Sequence, residues 1–409
     1  MKVLHISTSD RIGGASIGAF RLSEAMRGAG IDSRMLVLEK QSDSDMVVAI
    51  KDYKFQHYDY FRKFKKELAI RLTRYLIKPR LNYSTGTSHV HRLMSIPLVQ
   101  EADVIYIHWV QETFLSIRDV RQILKTGKPV YMYLHDMWSM TGGCHYSMGC
   151  DGYVHRCEQC PMIGRQLMHG MSQATLRKKL KMWRNQPNLH VIAPSRWMYD
   201  CARESAVFHQ QPVFLIPNTL NDRVFRVMDK RDAREVLGLP QDRPLVLFGA
   251  VGGTTNLYKG WAYADRLMQR MGTEADIVVF GSTYQSAGYT THAIGKMHDE
   301  FSLACLYNAV DVFISPTQAE CFGLTIAESI SCGTKAVVFN VGGVSDIVTH
   351  QDNGYLAEPN NVDDLERGVR WALGRDNDDV ERRRLHEGIR AKFAYPVVAA
   401  QHLRLIEGS

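Results

Sequence analysis

Short apolar runs alternate with stretches of helical spacing along most of the chain. Residues 3–7 read as a buried strand, and the glycine turn Gly13-Gly14 follows it. Residues 17–28 then place Phe20, Leu22 and Met26 among small residues at helical spacing. Further apolar runs lie at 33–38, 104–108, 130–135, 191–194 and 213–216, with a helical pattern at 117–124. Gly127-Lys128-Pro129 ends that helix and feeds the next strand. Continuous apolar strands alternating with helices indicate a parallel sheet covered on both faces.

The pattern restarts after a polar, charged stretch at 221–242. Strand-like runs follow at 245–249, 276–281, 310–315, 335–339 and 354–356, with helical patterns between them. The expected fold is α/β, with two Rossmann-like doubly wound domains facing a central cleft at the carboxyl ends of both sheets, where open α/β sheets bind ligands. The expected boundaries are 1–222 for an N-terminal, acceptor-side domain and 223–389 for a C-terminal, nucleotide-sugar-binding domain. A C-terminal helix, 390–409, is expected to pack back on the first.

Composition narrows the class. The 409 residues imply two or three domains, and 45% hydrophobic with 23% charged residues excludes a disordered chain. No stretch reaches the roughly 20 apolar residues of a membrane span. The opening MKVLHIS is too short an apolar run for a signal peptide, so a cytoplasmic location is expected. The net charge of +7 is concentrated in residues 51–80, and the remainder sums to zero, which excludes a nucleic-acid-binding composition. Within that segment, residues 53–77 set Phe61, Phe64, Leu68, Leu72 and Tyr75 at helical steps, with Arg62, Lys63, Lys65 and Lys66 mostly off the stripe. This fits a helix lying on an anionic membrane surface, on the inner face of the cell membrane. It also fits an ordinary amphipathic helix packed on the first domain.

Four of eight cysteines, Cys144, Cys150, Cys157 and Cys160, fall within seventeen residues, in a glycine-rich loop at 142–162. In a reducing compartment the spacing suggests a structural zinc site; free thiols and disulfides are the alternatives. Asp43-Ser44-Asp45 has the form of a metal-binding pair but lies in a polar stretch and reads as a solvated loop.

The densest chemistry is at 315–346. A strand ends at Ser315-Pro316, a loop carries Glu320, and Gly323-Leu324-Thr325 opens a helix whose first amides make an anion site. Glu328 lies one turn inside it. The plain alternative is a helix capped by Thr325 with acidic residues near its positive end.

Glu320-x7-Glu328 with its Phe-Gly-Leu-Thr interior, then Gly333-Thr334 and Val341-Gly342-Gly343, resembles the signature of the retaining GT-B glycosyltransferases of family four. Ala193-Pro194-Ser195, Ile216-Pro217-Asn218, Lys259-Gly260, Phe280-Gly281-Ser282 and 307–311 follow in the family's order. His135-Asp136-Met137-Trp138 before the cysteines resembles the branch of bacterial exopolysaccharide assembly, the colanic acid transferases among them. The resemblance implies that Glu328 binds the ribose of a nucleotide-sugar donor and Glu320 the donor sugar. It implies that the amides of Phe322, Gly323, Leu324 and Thr325 hold sugar and diphosphate, and that Lys259 neutralises the leaving diphosphate. Gly13 and Gly14 would let the first loop approach that diphosphate, and His135 would face the anomeric centre. One departure stands out: many relatives carry Arg in the loop after the strand at 245–249, and here residues 250–255 are AVGGTT.

The implied activity is retaining transfer, with no cofactor for catalysis, from a UDP- or GDP-sugar to a lipid-linked or oligosaccharide acceptor in exopolysaccharide, capsule or O-antigen biosynthesis. Sugar-nucleotide epimerase or phosphorylase chemistry on the same fold is the alternative. A dinucleotide-dependent oxidoreductase is a further one, although Gly13-Gly14-x3-Gly18 is not G-x-G-x-x-G.

Overall fold

The computed structural model describes residues 1–53, 83–84, 86, 88, 90, 92–112, 114–163, 170–249, 254, 256–297, 299–375 and 377–408. The chain forms two compact units, residues 1–217 with 398–409, and residues 218–397. The basic segment at 54–77 lies outside the described residues, as do Ala250–Gly253 and Thr255.

The first unit is built on seven strands, β1 (Lys2–Ser9), β2 (Asp32–Glu39), β3 (Val47–Ala49), β4 (Val104–Ile107), β5 (Val130–Tyr133), β6 (Leu189–Ala193) and β7 (Val213–Leu215). Their order is β3-β2-β1-β4-β5-β6-β7, and every pair is parallel. β4 and β5 are buried at every position, as a sheet with both faces covered requires. The second unit has six parallel strands, β8 (Leu245–Gly249), β9 (Asp276–Phe280), β10 (Thr291–Gly295), β11 (Val312–Ser315), β12 (Lys335–Phe339) and β13 (Gly354–Ala357), in the order β10-β9-β8-β11-β12-β13. Two apolar cores pack in this unit, one around Leu247, Phe313, Ile326 and Val338 and the other around Phe248, Leu267, Ile314 and Val337. Each such side chain contributes about 1.5–3 kcal/mol by leaving water.

Both sheets are doubly wound. The strand order reverses between β1 and β4 in the first unit and between β8 and β11 in the second. A crevice opens at the carboxyl ends of the strands flanking such a reversal, because the connecting segments leave to opposite faces.

Some elements differ from the sequence expectation. β3 lies within the apolar run at 46–50, which the expected set omits, and β10 is only half-buried throughout, so it produces no such run. The first helix is Gly13–Gly28, so the glycines are its first turn and not a separate loop before residue 17. The C-terminal segment holds two helices, Asp379–Phe393 and Tyr395–Glu407. Phe393 packs in the second unit, whereas Val398 and Ile406 pack in the core of the first.

Candidate active site

Two loops at the reversal point of the second unit are stitched together. After β8 the chain forms a short 3₁₀ turn, Leu257–Lys259, and after β11 it runs through Pro316 to Gly323. The Tyr258 carbonyl accepts from the Gln318 amide and the Thr317 hydroxyl, both at 2.8 Å. Gly260 sits at φ +72°, and a Cβ there would lie 1.8 Å from the Pro316 carbonyl oxygen, so only glycine permits the approach. This brings Lys259 Nζ to 2.9 Å from Glu320 Oε2, with both side chains partly buried.

Glu320 is also held from behind. Its carbonyl accepts from the Gly343 amide at 3.0 Å, and a Cβ at Gly342 (φ +56°) would fall 2.0 Å from that same oxygen. The Val341-Gly342-Gly343 turn therefore seats the Glu320 backbone.

The helix Leu324–Ser331 starts beside this pair. Its N-cap is Gly323, at φ +108° with no capping side chain, so Thr325 is not a cap. The Gly323 carbonyl accepts from the amides of Ile326 and Ala327, which are therefore engaged inside the helix. Phe322 and Leu324 turn their side chains to the core, and Phe322 meets Phe393 edge to face at 5.3 Å. What these two residues can offer a ligand is backbone. Glu328 is 3% exposed, and its Oε2 accepts from the Tyr307 hydroxyl at 3.2 Å. That partner lies on the helix Glu300–Ala309, and no spacing rule marks it in the sequence.

In the first unit Gly13 starts the helix after β1, at the reversal point, and His135 lies one strand beyond it, after β5. Gly13 adopts φ +82° with open space where a Cβ would be, so it is required by its backbone angle and not by a close neighbour. His135 follows β5. Its Nε2 lies 2.9 Å from His108 Nδ1, and His108 Nε2 lies 2.9 Å from His5 Nδ1. Burial depresses all three imidazoles, His135 to about 4 against the opposing pull of Asp136, and His5 to about 3. Asp136 hydrogen-bonds elsewhere: it takes Trp109 Nε1 at 2.8 Å and the Trp138 amide at 2.8 Å, and pairs with His145. Burial opposes its ionisation, but the His145 charge and these donors hold it below the usual carboxylate range. His135 thus belongs to a histidine chain that neighbour spacing does not reveal.

The four cysteines Cys144, Cys150, Cys157 and Cys160 line one small cavity, of about 20 Å³, with Tyr83 and Ser172. Burial pushes the Cys144 thiol up to about 12 and the Cys157 thiol to about 11. Among the described residues no group of three or more His, Cys, Asp or Glu is gathered to hold a metal ion, so the expected ligand set is not assembled. Cys157 and Gln159 adopt left-handed backbone angles, φ +50° and +49°. Lys179 is buried beside the cluster, over the Trp138 ring at 3.9 Å, and donates to the Thr141 carbonyl at 2.9 Å. In the 43–45 loop, Asp45 is exposed and pairs with Arg27 at 3.1 Å.

Residues 229–391 match the family described as Glycosyl transferases group 1. A D-inositol 3-phosphate glycosyltransferase of Xylanimonas cellulosilytica is 33% identical over 190 residues, covering 42% of this chain and 43% of that protein. The putative colanic acid biosynthesis glycosyl transferase WcaC of Escherichia coli is 21% identical over 268 residues, covering 62% and 64%. The matched segments thus span less than two thirds of either curated relative. Anabaena HepE, solved in complex with UDP and glucose, superposes with a TM-score of 0.63 at 15% identity, covering 100% of both chains. With its two reversed parallel sheets and this structural likeness the chain has the GT-B fold, and residues 229–391 resemble a glycosyl transferases group 1 domain.

Proposed function

We propose that this chain is a glycosyltransferase that moves a sugar, with retention at the anomeric carbon, from a UDP- or GDP-sugar to a lipid-linked or saccharide acceptor in bacterial exopolysaccharide, capsule or O-antigen synthesis. The observation that carries the reading is the Lys259–Glu320 pair beside the start of the helix Leu324–Ser331. The bond that breaks joins the anomeric carbon to a phosphate oxygen, and negative charge grows on the departing diphosphate. Lys259 and the amides of 322–325 are placed to offset that charge, while Glu320 accepts from sugar hydroxyls. Glu328, aligned by Tyr307, takes the ribose hydroxyls. A fixed cation and oriented amides do this without a metal ion. In the same reading Gly13 and Gly14 approach the donor diphosphate, and His135 faces the anomeric centre. HepE binds UDP and glucose, and WcaC is tied to colanic acid, which favours this donor and pathway class.

Two finer parts complete the proposal. Residues 53–77 attach the protein to an anionic membrane surface; no described helix is long and apolar enough to cross a membrane. Cys144, Cys150, Cys157 and Cys160 hold a structural zinc ion. Their four thiols are the right donor set and line one cavity, and they must draw closer together to share one ion.

The test is transfer from a panel of UDP- and GDP-sugars to lipid extracts and oligosaccharides in the presence of EDTA, with the anomeric configuration of the product determined. Retained configuration and activity in EDTA are expected. Inversion, activity that returns only with Mn²⁺, or epimerised donor as the product would overturn the reading.

A further inference from the structure

Three imidazoles from three adjacent strands form an unbroken hydrogen-bonded chain. His5 lies in β1, His108 follows β4 and His135 follows β5. The two links are each 2.9 Å, and adjacent ring centroids are 5.2 Å apart. Tyr106 stacks on His5 at 4.9 Å and Tyr133 on His135 at 4.6 Å, so the rings are held between flat neighbours. His5 and His108 are buried, at 0% and 4% exposed, and His135 is partly exposed. The inner terminus is His5 Nε2, which is buried without a hydrogen-bond partner among the described residues. The outer terminus is His135 Nδ1, which has no partner among the described residues.

A neutral imidazole carries one N–H, and each link needs one donor and one acceptor. Only two proton arrangements satisfy both links. In one, every Nε2 carries the proton, His135 Nδ1 is a bare lone pair, and His5 buries an N–H with no acceptor. In the other, every Nδ1 carries the proton, His135 Nδ1–H points outward, and His5 buries only an unused lone pair. Buried N–H groups without acceptors are rarer than under-used acceptors, so the second arrangement is favoured.

We propose that His5 and His108 are positioning residues that lock His135 as its Nδ1–H tautomer, so that His135 offers substrate a hydrogen-bond donor and cannot act as a base through Nδ1. The depressed basicity of all three rings supports the neutral proton count, and the only charged group among those affecting His135 is Asp136. The consequence for substrate rests on the proposed glycosyl transfer, with His135 donating to a sugar or phosphate oxygen. The tautomer itself does not.

The experiment is a long-range ¹H–¹⁵N correlation spectrum of the full chain labelled at histidine nitrogens, at neutral pH and without sugar. His135→Phe identifies the His135 signals. The expected wild-type pattern has Nδ1 protonated and Nε2 bare. His108→Phe should release His135 into a mixture richer in the Nε2–H form, whereas His108→Asn, whose amide can still donate to His135 Nε2, should keep the wild-type pattern. A bare Nδ1 in the wild type, or a tautomer unchanged by His108→Phe, overturns the proposal. If a His108 variant fails to fold, the wild-type spectrum decides alone. Because no donor or acceptor is present, a negative result leaves the glycosyl-transfer reading intact, and failure of that reading leaves the tautomer result standing.

Discussion

Lys259 Nζ sits 2.9 Å from Glu320 Oε2, although the two residues belong to loops after different strands. In the proposed reading a nucleotide diphosphate arrives beside this pair and competes with Glu320 for the ammonium. Lys259→Ala should lower turnover about 100-fold, by removing charge stabilisation that grows in the transition state. Glu320→Ala should also lower turnover while leaving UDP or GDP affinity close to wild type. Steady-state kinetics with the best donor from the panel, with nucleotide binding by calorimetry, checks both. Wild-type turnover in Lys259→Ala would remove the lysine from the mechanism.

Tyr307 aligns Glu328 through a buried contact, the hydroxyl donating to Oε2 at 3.2 Å. Tyr307→Phe keeps the ring that packs against Phe225 and Phe313 but removes this donor. Nucleotide affinity should fall about 5- to 10-fold, the net value of about 1 kcal/mol for one typical intramolecular hydrogen bond. Glu328→Ala should weaken it further. Calorimetry with UDP and GDP measures this, and unchanged affinity in Glu328→Ala would contradict the ribose role.

The buried histidines make the first unit acid-sensitive. His5 and His402 are depressed to about 3 and His135 to about 4, chiefly by burial, against an ordinary value of 6.5. Between those values the unfolded chain binds more protons, so the stability contribution is present above pH 6.5 and is lost as pH falls. One such histidine costs about 2 kcal/mol on going from pH 7 to pH 5. Urea unfolding at the two pH values should show this loss, with a smaller difference in His402→Leu. Equal pH dependence in that variant would mean His402 takes up its proton without resistance in the folded state.

Freshly reduced protein should carry about one zinc ion per chain, as a closed four-thiolate site does. Cys157→Ser and Cys160→Ser should lose the metal and melt at lower temperature, because a loop with little core of its own loses its cross-link. Metal analysis by mass spectrometry decides. Zinc-free wild type would leave the cysteines as the buried thiols that the cavity describes.

Flotation with vesicles tests the basic segment. Binding should require anionic lipid and weaken as salt is added, since the attraction is screened over about 8 Å at physiological ionic strength. Replacing Arg62, Lys63, Lys65 and Lys66 by Glu should abolish it. Equal flotation of the quadruple variant would identify residues 53–77 as an ordinary packed helix.

Alternation of apolar and polar positions determined the two sheets. β8 and β12 have the bounds that their apolar runs LVLFG and KAVVF mark, because a strand covered on both faces must be apolar throughout. β10 is too exposed to need such a run, whereas β3 lies in the apolar run at 46–50 and is only three residues long. Motif spacing found Glu320 and Glu328, since a helix start fixes what lies within one turn of it. Everything that depends on different strands meeting was decided by tertiary structure. The Lys259–Glu320 pair requires Gly260 and Gly342 to admit carbonyl oxygens where a Cβ cannot fit. The Tyr307–Glu328 contact joins two helices, and the His5–His108–His135 chain joins three adjacent strands whose residues lie more than a hundred positions apart at its extremes. A sequence records which side chains are available within a few residues. Which of them share a proton is set by the order in which parallel strands lie side by side.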